Sequence, residues 1–308
     1  MMFTRKSLGV EISPSGVAFA LVGGSAAAPR LERVSYRPLP PGTVRLSLRE
    51  ANILDPTALI DRLRDAHNTL LYRGTHLSLT LPDAIGRILL MDVEGRFKSR
   101  GEALDIIRWK LKKNMPFDLA DSHLDYQQVR VRENGDMALL VALVSRTVIG
   151  QYEELLSGVG FTPARIDFNI FNLYRTFEQR LAHQDDLALV ALYGGMLAVM
   201  VLHEGVPEFV RIKDLSGVMP GDGRVGLEIN SSFLVYRERF PERMPLSVTC
   251  VAPPDTGRDF CAMVAEIMGV EAILLEVKSM VTPGDSAPAD QDTLFPFTTA
   301  IGAALRSL

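Results

Sequence analysis

Two apolar stretches, each interrupted by a tight turn, constrain this chain more than any other feature. Residues 8–22 are mostly apolar around a Ser-Pro-Ser-Gly turn at 13–16, and residues 187–202 are apolar around Gly194-Gly195. Proline sets the φ angle that a turn requires and glycine tolerates positive φ, so each stretch predicts two buried strands joined by a hairpin turn. A membrane-spanning helix needs roughly 20 apolar residues in a row, so the second stretch is too short to be one.

The elements that follow the two hairpins have the same order. Each half predicts three strands, a helix and a further strand: 7–12, 17–22, 30–37, a helix from Asp55 to Gly74, and 76–81 in the first half; 187–193, 196–202, 207–212, 225–239 and 246–251 in the second. The two halves share no sequence repeat, so the pattern indicates a duplicated architecture. This order is the ribonuclease-H-like arrangement, and two facing lobes of this kind predict an actin-like α/β fold.

The same pattern predicts the domain boundaries. Lobe 1 spans 1–184 and contains a small inserted α/β subdomain at about 83–165. Lobe 2 spans 185–295, with a polar linker at 281–292. We expect the helix within 296–308 to return to lobe 1.

Composition excludes several classes of protein. The net charge of −4 and the pI near 5.8 disfavour a dedicated nucleic-acid binder, which carries a basic face. Cys250 and Cys261 show no disulfide or metal spacing and are predicted to be buried thiols in a reducing compartment. Glu11 and Pro14 interrupt any signal-peptide core. We therefore expect a soluble cytoplasmic protein.

Several segments between residues 76 and 167 resemble one family. They are Leu-Ser-Leu-Thr-Leu-Pro at 77–82, Trp-Lys at 109–110, Met-Pro-Phe-Asp at 115–118, Leu-Asp-Tyr-Gln at 124–127, the apolar run 137–145, Tyr152 to Leu156, and Gly-Val-Gly-Phe-Thr-Pro-Ala-Arg-Ile-Asp at 158–167. Weaker matches continue at 205–211, 227–236 and 300–306. On these residues the chain resembles the PilM family of type IV pilus assembly proteins, actin-like relatives of the cell-division protein FtsA.

This resemblance implies a partner and a location. PilM-like proteins lie on the inner face of the inner membrane and bind a short N-terminal cytoplasmic peptide of a PilN-like membrane protein. The peptide docks by the inserted subdomain, so Trp109, Pro116 and Phe117 are candidates for the groove lining and equally for the core. A basic cluster surrounds Trp109 and is either a solvated helix face or a docking surface for anionic lipid or an acidic partner segment: Arg96, Lys98, Arg100, Arg108, Lys110, Lys112 and Lys113.

Many PilM-like proteins also bind ATP between the lobes, through two loops that begin Asp-(apolar)-Gly. Here Glu11 replaces the first Asp, Ser13 replaces the Gly, Pro14 removes a backbone donor, and Ala18 stands where a Lys is common. In the second loop Ala191 and Tyr193 stand at the Asp and Gly positions, and Ala-Pro-Pro at 252–254 replaces a Gly-Gly that contacts adenosine. We therefore expect no cofactor, with ATP and Mg²⁺ as the alternative.

If a nucleotide binds, the resemblance assigns its contacts to Glu11, Ser13, Ser15, Gly16, Gly194, Gly195 and Gly302. Other interpretations stay open. Glu11 is a metal carboxylate or a strand-end residue bonded to loop groups, and Gly194-Gly195 is a phosphate cradle or a hairpin turn. No catalytic or metal-binding set is predicted, since the five histidines lack metal spacing.

The predicted function is a non-catalytic scaffold of a pilus machine. The first alternative is an ATP-binding or ATP-gated ATPase of the same machine. The second is the actin-like module of a type II secretion component, which would be expected to continue into a transmembrane helix. A carbohydrate kinase of the same superfamily would need an Asp base and a sugar pocket, for which the loops give no support.

Overall fold

The computed structural model describes residues 5–113, 115, 118–218 and 222–308. Within these ranges the chain forms two lobes and a smaller third unit, each built on its own sheet. None of the helices in the described ranges combines the length and the apolar character that crossing a bilayer requires.

Lobe 1 has a six-stranded sheet with the order β14-β3-β2-β1-β4-β8. Its elements are β1 (Lys6–Ser13), β2 (Gly16–Ser25), β3 (Ala28–Pro38), α1 (Pro56–Thr69), β4 (His76–Leu81), α3 (Arg146–Gly158), β8 (Thr162–Phe168), α4 (Asn169–Leu181), β14 (Thr282–Pro283), α7 (Gln291–Leu294) and α8 (Thr298–Leu305). The first three strands pair antiparallel, and β1, β4 and β8 pair parallel. Asp55 starts α1 as its N-cap, accepting a hydrogen bond from the Ala58 amide.

Lobe 2 repeats this arrangement in a five-stranded sheet with the order β11-β10-β9-β12-β13. Its elements are β9 (Leu187–Tyr193), β10 (Met196–His203), β11 (Val206–Asp214), α5 (Gly223–Arg239), β12 (Ser247–Val251), α6 (Gly257–Met268) and β13 (Ala272–Leu274). Three antiparallel strands are again extended by a parallel strand that follows a helix. Both halves of the chain therefore contain the predicted order of three strands, a helix and a further strand. Together they form the predicted two-lobed α/β architecture.

The inserted subdomain is a three-stranded antiparallel sheet with one helix, placed between β4 and α3. It comprises β5 (Gly86–Val93), α2 (Arg100–Leu111), β6 (Ser122–Val131) and β7 (Met137–Ser145), in the sheet order β5-β7-β6. The predicted C-terminal boundary at 165 is too late. Helix α3 buries Val148, Tyr152 and Leu156 in the core of lobe 1, and β8 pairs with β4, so the insert ends at Ser145.

Strands β9 and β10 are buried on both faces, which explains why almost every residue of the stretch 187–202 is apolar. One face of the hairpin, including Leu189 and Met200, joins a core shared with lobe 1. The other face, including Val190 and Val199, packs in a second core under α5 and α6. Since neighbouring residues of a strand point to opposite faces, both sets must be apolar.

After β13 the chain returns to lobe 1 earlier than 296. Val277 and Val281 lie in the lobe 1 core, and β14 pairs with β3, so residues 281–292 are not a free linker. Helix α8 then packs against β1 and α4 at backbone distance. A Cβ on Gly9 would lie 1.9 Å from the Ala300 carbonyl oxygen, and one on Gly302 would lie 1.8 Å from the Asn172 carbonyl oxygen.

We predict that Gly302→Ala destabilises the protein by about 2–3 kcal/mol or more, because the added methyl overlaps the α4 backbone, which has no room to move. The matched control is Gly150→Ala in α3, where a Cβ would meet no atom within 4 Å. That change should stabilise by about 0.5–1 kcal/mol. Urea unfolding of both variants measures the difference, and equal stabilities would contradict the packing explanation.

Candidate functional site

Glu11 lies at the end of β1, where the lobes face each other, and its carboxylate is bound by two other elements. Oε1 accepts a hydrogen bond from Asn169 Nδ2 at the start of α4 (2.9 Å), and Oε2 accepts one from the Thr299 hydroxyl of α8. Asn169 Oδ1 in turn accepts from the Thr80 hydroxyl of β4 (2.8 Å). Burial raises the pKa of Glu11, and the bonds from Thr299 and Asn169 oppose that shift.

A second buried carboxylate joins the two lobes. Asp83, 4% exposed, accepts a hydrogen bond from the Ile170 amide in the first turn of α4 (3.1 Å). Its other oxygen accepts one from the Tyr193 hydroxyl at the end of β9 in lobe 2 (2.7 Å). Burial raises the pKa of Asp83 to about 7, against the lowering by these two bonds, and the charge of Glu11 adds to the rise. Burial also raises the pKa of Tyr193, which therefore donates as a neutral phenol.

The loop between β1 and β2 is held by a hydrogen bond between its own side chains and by contact with Tyr36 of β3. The Ser13 and Ser15 hydroxyls are hydrogen-bonded to each other (2.8 Å). The Tyr36 hydroxyl donates to the Ser15 carbonyl (2.9 Å). The Tyr36 ring lies so close that a Cβ on Gly16 would sit 2.5 Å from it. Gly16 is therefore explained by contact with Tyr36.

The remaining predicted phosphate contacts have structural explanations as well. Gly194 and Gly195 both have positive φ, 53° and 77°, in the two-residue loop between the paired residues Tyr193 and Met196. This is the geometry of a hairpin turn. Gly302 is buried against α4. The backbone of α4 occupies the space next to its Cα, so Gly302 leaves no open space toward the cleft. Among the described residues, no three His, Cys, Asp or Glu side chains are grouped as metal ligands would be.

A channel runs between the insert and lobe 1. Its volume is about 430 Å³. Strand β6 contributes His123, Asp125 and Gln127, and β8 contributes Ile166 and Phe168. Both strands are edges of their sheets. The channel is therefore bordered by two strands whose outer sides have no neighbour in the sheet order.

Ion pairs mark the walls of this channel, while its floor is apolar. Arg100 of α2 pairs with Asp125, and Arg306 pairs with Asp167 (3.1 Å). Apolar side chains lie between them: Leu81, Ile85, Leu140, Ala142, Leu143, Val144, Ile149, Ile166, Phe168 and Phe171. Burial raises the pKa of Asp167, which Arg306 and Arg165 lower in part.

A second cavity, of about 460 Å³, continues the first. The two share Gln127, Leu140, Phe171 and Arg306 among their lining residues. The second cavity is also lined by lobe 2 residues, including Pro207. We call these two adjoining cavities the insert channel, which is lined by the insert, lobe 1 and lobe 2.

Of the three predicted partner-binding residues the structure describes Trp109, which is not among the residues that line the insert channel. Trp109 is on α2 and is 75% exposed, because that helix turns Ile107 and Leu111 inward instead. Its exposure excludes the core alternative, and a role of Trp109 in partner binding stays a prediction. Pro116 and Phe117 lie outside the described residues.

Sequence reasoning found Glu11 and Tyr193 but missed the residues that bind them. Thr80, Asp83, Asn169 and Thr299 come from four separate parts of the chain and form no local motif. The available signal was an acidic residue directly after Pro82 at the end of an apolar strand.

Comparison with known proteins identifies solved structures with a similar fold. No family sequence model matches the chain, and no curated protein matches it in sequence. The solved PilM-PilN type IV pilus biogenesis complex is similar in structure, with TM-score 0.80 and 20% identity, covering 97% of this chain and 98% of that chain. The cytoplasmic domain of EpsL, an inner-membrane component of the Vibrio cholerae type II secretion system, gives TM-score 0.54 and 12% identity over 96% and 95%. The predicted actin-like fold is confirmed.

The raised pKa of Asp83 predicts a specific pH dependence of stability. The folded carboxyl binds its proton more tightly than the unfolded one, whose pKa is near 3.8, so unfolding releases a proton between about pH 4 and pH 7. Stability from this group is complete below pH 4 and is lost as the pH rises to 7. Relative to Asp83→Asn, the wild type should lose up to about 1.4 kcal/mol per pH unit in this window.

Urea unfolding of both proteins across this window measures that difference. Asp222→Asn is the control, because hydrogen bonds from Arg224 lower the pKa of that carboxyl and place its contribution below the window. Parallel stability curves for the wild type and Asp83→Asn would contradict the assignment.

Proposed function

We propose that this chain is a non-catalytic, PilM-like adaptor of a type IV pilus assembly machine. Its insert channel captures, in extended form, a short N-terminal cytoplasmic peptide of a PilN-like inner-membrane protein. The adaptor is thereby held at the inner face of the inner membrane. The observation that carries this proposal is the insert channel in a chain similar over 97% of its length to a solved PilM-PilN complex.

The shape and chemistry of the insert channel suit an extended peptide. Edge strands such as β6 and β8 offer backbone donors and acceptors with which an extended peptide can pair. The apolar floor takes alternate side chains of the peptide. The charged groups of Arg100, Asp125, Asp167 and Arg306 stand at the walls, where they can select the peptide's own charges.

The cleft between the lobes does not fit a Mg-nucleotide. Glu11 and Asp83 direct their oxygens at protein donors, and the Tyr193 phenol occupies space beside the second loop. Binding of Mg²⁺ and phosphate would have to break these bonds and displace a buried ring that joins the lobes. We infer that Glu11 holds α4 and α8 together within lobe 1 and that Asp83 joins the lobes, without a cofactor or a catalytic step.

The pilus role is favoured over the secretion role by structural similarity. The TM-score to the PilM-PilN complex is 0.80, against 0.54 to the type II secretion domain, over nearly equal shares of this chain. The type II secretion domain belongs to an inner-membrane component, so both assignments place this chain at the inner face of the inner membrane.

Gln127→Trp should weaken binding of the partner peptide by about tenfold or more, because the ring fills the insert channel without entering the core. Fluorescence anisotropy with a labelled N-terminal cytoplasmic peptide of a PilN-like protein measures the affinity. Gln128→Trp is the matched control, since the neighbouring strand residue points to the other face and does not line the channel. Equal weakening in both variants would place the peptide elsewhere, and no binding to the wild type would refute the adaptor role.

Mg-ATP should produce no saturable heat in calorimetry and no concentration-dependent rise in melting temperature. Above Kd a bound ligand stabilises a protein in proportion to the logarithm of its concentration, so a melting temperature that keeps rising with that logarithm is diagnostic. If such a rise occurs and Glu11→Gln removes it, the chain is a nucleotide-binding member of the fold and the proposal of an empty cleft is wrong.

A further inference from the structure

The most exposed large aromatic side chain of the described structure is also the chain's single tryptophan. Trp109 is 75% exposed on α2, in the inserted subdomain. The helix does not need it for packing, since Ala103, Ile107 and Leu111 form its buried side. An aromatic ring that stays in water does not contribute the free energy that its burial would normally add to stability. One exposed apolar residue proves little, so its neighbours decide what it does.

Two exposed lysines follow Trp109 at the end of α2. Lys112 is the C-cap of the helix and keeps helical backbone angles, so it lies one helical turn after Trp109, and Lys113 is the next residue. Among the described residues, neither lysine is within ion-pair distance of a carboxylate. The nearby acidic groups are already engaged: Asp105 pairs with Arg108 (3.5 Å), and Glu102 accepts from the Lys98 amide.

This positive surface stands out from the rest of the chain. The net charge of the protein is −4, yet Lys112 and Lys113 place two exposed cations at the end of α2, after an exposed apolar ring. An acidic surface with an apolar layer beneath it would complement both features. An anionic bilayer offers that combination, because tryptophan prefers the headgroup level and each lysine near such a surface adds to binding.

We propose that the C-terminal end of α2, with Trp109 in its last turn and Lys112 and Lys113 directly after it, is a membrane-contact surface. The lysines meet anionic phospholipid headgroups and the indole ring inserts at the headgroup level. Arg100, at the other end of α2, lines the insert channel. Nine residues of helix place the two about 13 Å apart, so membrane contact leaves the channel open.

Fluorescence of the purified full chain tests this proposal, because Trp109 is the sole tryptophan and reports this surface alone. Vesicles of phosphatidylcholine mixed with phosphatidylglycerol should shift the emission to shorter wavelength, and lipids with brominated acyl chains should quench it. Added salt should weaken the response, since exposed charges are screened. Vesicles of phosphatidylcholine alone should produce little shift.

Lys112→Gln combined with Lys113→Gln should weaken partitioning about 30-fold, because each basic residue at an anionic surface contributes about fivefold. The matched control is Arg64→Gln combined with Arg73→Gln, which removes the same charge at two exposed positions of lobe 1 and keeps the same probe. This control should partition as the wild type does.

Three results would overturn the proposal: no emission shift with anionic vesicles, an equal shift with both kinds of vesicle, or equal losses in the two double variants. A shift with polyglutamate but not with vesicles would also overturn it and would assign the surface to an acidic protein.

Discussion

Backbone contact between α8 and the centre of lobe 1 is the constraint on which the cleft depends. The helix lies against β1 at Gly9 and against α4 at Gly302, at distances that no side chain larger than hydrogen allows. This approach places the Thr299 hydroxyl at the Glu11 carboxylate, and the Thr298 carbonyl accepts from Thr176 of α4 (2.7 Å). A looser helix would leave Glu11 with an unsatisfied buried oxygen, which is costly in a low-dielectric interior.

The same arrangement explains how two buried carboxylates are accommodated in the cleft. A buried acidic group is tolerated when its oxygens accept hydrogen bonds or when it keeps its proton. Glu11 and Asp83 show both solutions, with donors from Asn169, Thr299 and the Ile170 amide, and with raised pKa values. Tyr193 supplies the remaining donor from lobe 2. Tyr193, at the turn of the second hairpin, thus helps to join the lobes.

Local patterns were sufficient to predict the elements but not their partners. The Gly194-Gly195 turn and the Asp55 N-cap follow from rules that act within a few residues, and the structure has both. The bond between Asp83 and Tyr193 joins residues 110 positions apart, which no spacing rule reaches. The return of the chain to lobe 1 near 277 was missed because the segment 281–292 is polar in composition although part of it completes a sheet.

The insert channel could not be predicted from the sequence, because a cavity depends on how elements that are distant in the chain pack against each other. Trp109 illustrates the difficulty, since an apolar residue in a helix predicts burial and only the orientation of α2 shows otherwise. The insert also contacts lobe 2 directly: Arg130 of β6 donates to the His203 carbonyl (2.9 Å) and pairs with Glu204 (3.0 Å). Because the insert channel ends against lobe 2, a peptide seated in it meets all three units, and its binding must depend on how the insert and lobe 2 are spaced.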